Sequence, residues 1–199
     1  MSIERDPQRQ APLMDDPKHD PHLATRTSLS QDMRSSLLHC PRDSWASQPG
    51  YGGKASFFLE YHALLRRGSL ALRAGLESCL GNFQPGHPNA ELDDAVRTGR
   101  QLLQAAHHHH AIEDASYFPA FRQAFPKLGS ALDLLDNDHR ILGAALDETG
   151  DALDRVQAQG EQRGLVALAY DRARALEHLI NRHLDDEEDV IIPIFLHAR

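Results

Sequence analysis

One pattern occurs twice in this chain, and it restricts the fold more than any other feature. The first copy reads His109-x3-Glu113-Asp114-x4-Pro119-x-Phe121, and the second reads His183-x3-Glu187-Glu188-x4-Pro193-x-Phe195. Phe118 and Ile192 fill the same apolar slot before each proline. Each copy also has a lone upstream histidine in matching surroundings, His62 in Tyr-His-Ala-Leu-Leu and His139 in Asp-His-Arg-Ile-Leu. On a helix, a His and a Glu four residues apart lie about 40° apart around the axis and about 6 Å along it, so both can reach one metal site. Two such pairs plus two lone histidines supply four imidazoles and two carboxylates. That donor set suits a dinuclear metal site built by a duplicated helix pair.

Such a site needs four helices, and the periodicity beyond residue 50 supplies them. A first helix is expected over about Lys54 to Leu80, stopped by Gly81-Asn82. A second starts at Asn89, a good N-cap, with Glu91, Asp93 and Asp94 favouring the positive helix start, and runs to about Ser116. Pro119 ends or kinks it, with a short helix to follow through Phe121 and Phe125. Ser130 opens the third, whose inward stripe is Leu132, Leu135, His139, Leu142 and Leu146, and Gly160 stops it. The fourth covers about Leu165 to Asp189. No alternating, strand-like pattern appears. The expected fold is all-α, an up-down-up-down four-helix bundle over residues 54–199.

Residues 1–50 read differently. They hold six of the eleven prolines among Asp, Arg, Gln and Ser, without helical period, and are expected to form a disordered Pro-rich tail, with docking of Trp45 and the Leu37-Leu38 run on the bundle as the lesser alternative. Gly50-Tyr51-Gly52-Gly53 would be the hinge to the bundle. A net charge of −8 with scattered basic residues argues against nucleic-acid binding. The two cysteines, Cys40 and Cys79, make neither a disulfide framework nor a thiolate site and suit a reducing cytoplasm. The N-terminal sequence has no apolar run, so neither a leader nor a membrane association is expected.

Within the four-histidine run His107–His110, only His109 has the spacing of the second copy. His110, three residues before Glu113, is the alternative ligand. Glu188 is the corresponding rival of Glu187, and would need a local π-bulge to turn inward. Asp185, Asp186 and Asp189 are expected on the surface, as is His178. Tyr117 reads as a core aromatic or as a hydrogen-bond donor to a bound ligand, and Asp136 as a residue that orients His139 or as a surface acid. The His-Glu-x-x-His, Walker and Gly-x-Ser-x-Gly patterns are absent, and so is the Glu-x-x-His pair of ferritin-like bundles.

The His-His-x-x-Glu-Asp-x4-Pro stretch around Glu113 and the His-x3-Glu-Glu stretch around Glu187 resemble the hemerythrins and HHE cation-binding domains. The resemblance implies a non-haem di-iron centre, with His62, His109, His139 and His183 as terminal ligands and Glu113 and Glu187 as bridges. It implies two Fe ions and a bridging hydroxide or water; Mn or Zn would also suit imidazole and carboxylate. Oxygen carriers of that family have a further histidine four residues after the third-helix ligand, where this chain has Gly143. With four histidines each ion would keep an open position. The implied function is binding of O2, NO or peroxide for storage, sensing or stress defence. Peroxide disproportionation by a di-iron enzyme and an iron-responsive interaction module are the alternatives.

Overall fold

The computed structural model describes residues 22–85, 90–159 and 162–197. Four long helices dominate: α2 (Ser56–Gly81), α3 (Ala90–Ile112), α5 (Gly129–Gln159) and α6 (Arg163–His197). Two short ones flank them, α1 (Gln31–Ser36) before the bundle and α4 (Phe118–Ala124) between α3 and α5. No strand is present among the described residues.

Side-chain pairings fix the topology. Gly75 faces Ala95 and Gly68 faces Leu102, so α3 runs antiparallel to α2. Gly99 faces Leu153 and Gly150 faces Leu103, which sets α5 antiparallel to α3. Arg172 with Glu148, and His183 with Asp138, set α6 antiparallel to α5. Arg73 with Glu177 and Arg66 with Asp185 close the ring between α6 and α2. The bundle is therefore up-down-up-down.

The core is divided in two. One apolar cluster contains Leu65, Leu72, Leu102, Leu103, Leu142, Leu146, Leu176 and Ile180. The other contains Phe58, Phe118, Leu132, Leu135, Val190, Ile191 and Phe195. On all four long helices the break between them falls at the histidines and glutamates: His62, His109–Glu113, His139 and His183–Glu187. Two leucine-rich layers thus clamp one polar layer, and that layer is the only part of the bundle interior whose stability cannot come from apolar burial.

Two helix ends depart from expectation for related reasons. Proline lacks an N–H and collides with the carbonyl four residues back, so each motif's proline must be accommodated. In the first copy the helix widens into a π turn over Glu113–Tyr117, where the Phe118 N–H bonds Glu113 O, and α4 then begins with Pro119 in its first turn. In the second copy α6 does not stop at Asp189 but continues through Pro193 to His197. Val190 to Phe195 are all buried in the lower core, and their burial offsets the missing backbone bond. The capping expected of Asn89 and the stop expected of Gly160 lie outside the described residues.

The disordered-tail expectation needs correction for residues 22–50. This segment lies against the bundle as a strap. Leu23 (0 % exposed), Leu29 (2 %) and Trp45 (5 %) are buried, and Leu29 and Trp45 belong to the lower core cluster. Trp45 Nε1 donates to Cys40 O at 2.9 Å, so its one polar atom is satisfied. Ser30 caps α1 by accepting from Met33 N. Composition could not reveal this, because a few well-spaced anchors (Leu23, Leu29, Trp45) dock a segment that is polar on average. Residues 1–21 lie outside the described residues. The Gly50–Gly53 turn is present: Gly53 has φ +94°, and a side chain at Gly50 would meet Leu196 O at 3.1 Å.

Candidate metal centre

The polar layer brings together every ligand expected from the sequence. His62 on α2, His109 on α3, Glu113 at the start of the π turn and Glu187 on α6 form one group, all buried, with ligating atoms within 4.8 Å of one another. His139 on α5 and His183 on α6 form a second group, and the third member of that group is His110. His109 and His110 thus both face the interior, each in a different group. Neighbours on a helix project about 100° apart, so at a bundle centre one can face α2 and the other α5. His109 Nε2 lies 3.1 Å from His62 Nε2, whereas the His110 ring stacks on that of His139 at 4.3 Å. Gly143 does not fill this role, since an added Cβ there would meet nothing within 4 Å.

The two glutamates sit between the groups. Glu113 Oε1 is 3.1 Å from His109 Nε2 and its Oε2 is 3.5 Å from His139 Nε2. Glu187 Oε2 is 3.3 Å from His62 Nε2 and 3.5 Å from His183 Nε2. Each carboxylate therefore spans one histidine of each group. Glu188 is turned away, against His62 Nδ1, on a regular α-helix without a bulge.

Three carboxylates stand behind the imidazoles. Asp114 holds His139 Nδ1 at 2.6 Å, Glu188 holds His62 Nδ1 at 3.2 Å, and Asp138 lies 3.4 Å from His183 Nδ1. A carboxylate at Nδ1 takes that N–H, which leaves the Nε2 lone pair directed into the site. The duplication extends to this layer. The acid following each glutamate reaches the lone histidine of the next helix around the ring, Asp114 to His139 and Glu188 to His62. The residue preceding each lone histidine contacts the motif histidine: Asp138 does so with His183, and Tyr61 stacks on His109 at 4.9 Å while its hydroxyl donates to Ala105 O. Of the two readings of Asp136, the surface one holds: it pairs with Arg122 and does not reach His139. Asp186, expected on the surface, is buried and bound by Arg26 and Arg182. His178 is exposed, as expected, and donates from Nε2 to Ala24 O. Tyr117 is half-buried in an aromatic group with Phe58, Phe121 and Phe195 that floors the site.

The electrostatics show what the site lacks. Glu113 and Glu187 are 0 % exposed, and none of their four carboxylate oxygens makes a hydrogen bond. Burial and then the Glu187 charge push the Glu113 carboxyl well above its usual range. Glu187 is held well below its range, against its own burial, by His62 and then by His183 and His109. Burial pushes His109 down to about 3, and pushes His110 well below its ordinary value. Imidazoles kept neutral are imidazoles fit to ligate. Glu188 is lowered to about 2 despite burial, by His62, Arg66 and Arg42, and Asp138 is lowered despite burial by Arg26 and His183.

Buried carboxylates without donors are rare, and such groups call for an explanation. Cations between them satisfy both glutamates at once. The spacing of the imidazoles agrees: two nitrogens at about 2.1 Å from one ion and at right angles stand about 3 Å apart, and the two Nε2···Nε2 separations are 3.1 and 3.2 Å. The residues fit metal ions.

A family comparison decides the lineage. The hemerythrin HHE cation-binding domain model matches residues 54–195, which includes all seven of these side chains. The chain belongs to the hemerythrin HHE family. No curated protein and no solved structure gave a match. For this hemerythrin-family chain, cation binding within a helical bundle follows from the family and from the His/Glu groups together. No helix among the described residues is long and apolar enough to cross a membrane.

Proposed function

We propose that this chain is a cytoplasmic non-haem di-iron protein that binds O2, NO or peroxide, in storage, sensing or stress defence. The ligand set is His62, His109, His110, His139 and His183, with Glu113 and Glu187 as bridges. The observation that carries this reading is the pair of fully buried glutamates with four unsatisfied oxygens, each lying between the two histidine groups. Iron bound there would supply a redox-active centre with a position open to a small ligand.

A count of donors locates that position. His110, His139 and His183 offer three nitrogens on one side, and His62 and His109 offer two on the other. Glu113 and Glu187 would be shared by both sides, so the His62 and His109 side would have one protein donor fewer and would be the one to accept a small ligand. The protein's own work is to hold the Nε2 atoms inward through Asp114, Asp138 and Glu188, and to keep bulk water out. Phe58, Phe118, Phe121 and Phe195, all buried, form that barrier on the lower side. An asymmetric site with one open place favours binding of one ligand over turnover at two adjacent vacancies, and so ranks ligand binding above peroxide disproportionation.

The test is spectroscopic. Iron-loaded, reduced protein exposed in turn to O2, NO and peroxide should change its visible absorption with one ligand per iron pair. Steady consumption of many equivalents of peroxide would favour the enzymatic alternative. No spectral response to any of the three would contradict small-ligand binding.

A further inference from the structure

The strap formed by residues 22–50 carries two arginines that reach the carboxylates behind the site. Arg26, 4 % exposed, spans from Nε to Asp186 Oδ2 (2.8 Å) and from Nη1 to Asp138 Oδ1 (2.7 Å), with Nη2 on Asp138 Oδ2. Asp138 is the carboxylate at His183 Nδ1. Arg42 donates from Nη1 to Glu188 Oε2 (2.7 Å), from Nε to Asp189 Oδ1 (2.7 Å) and from Nη2 to Asp185 O (2.6 Å). Glu188 is the carboxylate at His62 Nδ1. Each of the two histidine groups is therefore tied to the strap through one carboxylate and one guanidinium.

We infer that Arg26 and Arg42 are positioning residues for His183 and His62, and that docking of the strap and retention of metal reinforce each other. The inference rests on the reading of the His/Glu layer as a metal centre. Arg26 grips Asp138 bidentately and Arg42 holds Glu188 by one charged hydrogen bond; a carboxylate so fixed in turn fixes the rotation and tautomer of its imidazole. Because coupling between two binding events is reciprocal, a strap that helps hold metal must itself be held more firmly when metal is bound. The two arms are unequal. Glu188 Oε1 also accepts from Arg66 Nη2 on α2 at 3.2 Å, so it stays restrained without Arg42. Among the described residues no second arginine of the bundle reaches Asp138; Arg182 binds Asp186 instead.

Two measurements test this on the full chain. In the first, iron(II)-loaded and chelator-stripped wild-type protein are treated with trypsin, which can cut after Arg34 and Arg42, while far-UV circular dichroism reports the helices. Cleavage within the strap should be at least about tenfold faster in the stripped protein while its helices persist. In the second, release of iron(II) to a coloured chelator is followed in Arg26→Gln, Arg26→Lys, Arg42→Gln and Arg34→Gln. One of the two release phases should quicken by about 10- to 100-fold in Arg26→Gln. Arg26→Lys should restore part of the rate, Arg42→Gln should quicken the other phase by less, and Arg34→Gln, whose guanidinium bonds only Ser28 of the strap, should match wild type.

Equal strap cleavage in loaded and stripped protein would overturn the inference. So would wild-type release from a folded Arg26→Gln. If Arg26→Gln fails to fold, or the stripped protein loses its helices, Arg42→Gln decides alone. Unchanged release of both ions there would overturn the coupling. A chain that takes up no iron would instead refute the metal-centre reading itself.

Discussion

Replacing Glu187 with Ala is expected to reduce bound metal from two ions per chain to one at most, and to close the gap in thermal stability between loaded and metal-free protein. Both effects follow from one position. Glu187 lies between His62 and His183, so its loss removes an oxygen donor from each histidine group. Metal present at 100 times its dissociation constant stabilises the folded state by about 2.7 kcal/mol. At about 2–4 °C per kcal/mol for a chain of this size, that is roughly 5–11 °C of melting temperature. The variant should lose most of this metal-dependent rise. Glu113→Ala should behave the same way. Glu188→Ala should keep both ions at saturating metal, since Glu188 acts on His62 from behind. Retention of two ions by Glu187→Ala, with loss of one by Glu188→Ala, would reverse the assignment.

The second large effect is expected at His110. His110→Ala should bind its first metal ion normally and its second at least about tenfold more weakly, a lower bound taken from losses seen when mere supporting residues are removed. The group formed by His110, His139 and His183 then falls to two imidazoles, while His62 and His109 are untouched. His108→Ala, two residues away on the exposed face, should match wild type. Equal behaviour of the two variants in a metal titration would show that His110 is packing rather than ligand.

The helices, their order and the facing of the duplicated motifs were legible because each rests on local spacing. The 3.6-residue period marks the inward stripe, and His-x3-Glu puts two donors on one face whatever surrounds them. What sequence spacing could not carry is what depends on two helices at once. His110 stays only an alternative to His109 in the sequence because it breaks the four-residue rule within its own helix; its placement beside His139 and His183 comes from where α5 and α6 lie. Asp138 gave no periodic signal, since its partners, His183 and Arg26, come from α6 and from the strap. The acids after each glutamate are duplicated in plain view, yet Glu188 reads as a rival of Glu187 and Asp114 carries no role until the neighbouring helices supply His62 and His139. Asp186 looked solvated in a run of five acids, and only a buried arginine from far upstream explains its place. The strap stays the lesser reading for the same reason. Average composition describes a segment, whereas docking is decided by Leu23, Arg26, Leu29 and Trp45 individually.

The central claim is that the two halves of the duplication build one centre for a pair of ions. Elemental analysis of the fully loaded full-length protein against its quantified polypeptide tests it most directly. The account predicts two metal ions per chain, both lost when Glu113 and Glu187 are replaced together. One ion per chain at saturation, or two that survive the double replacement, would contradict it.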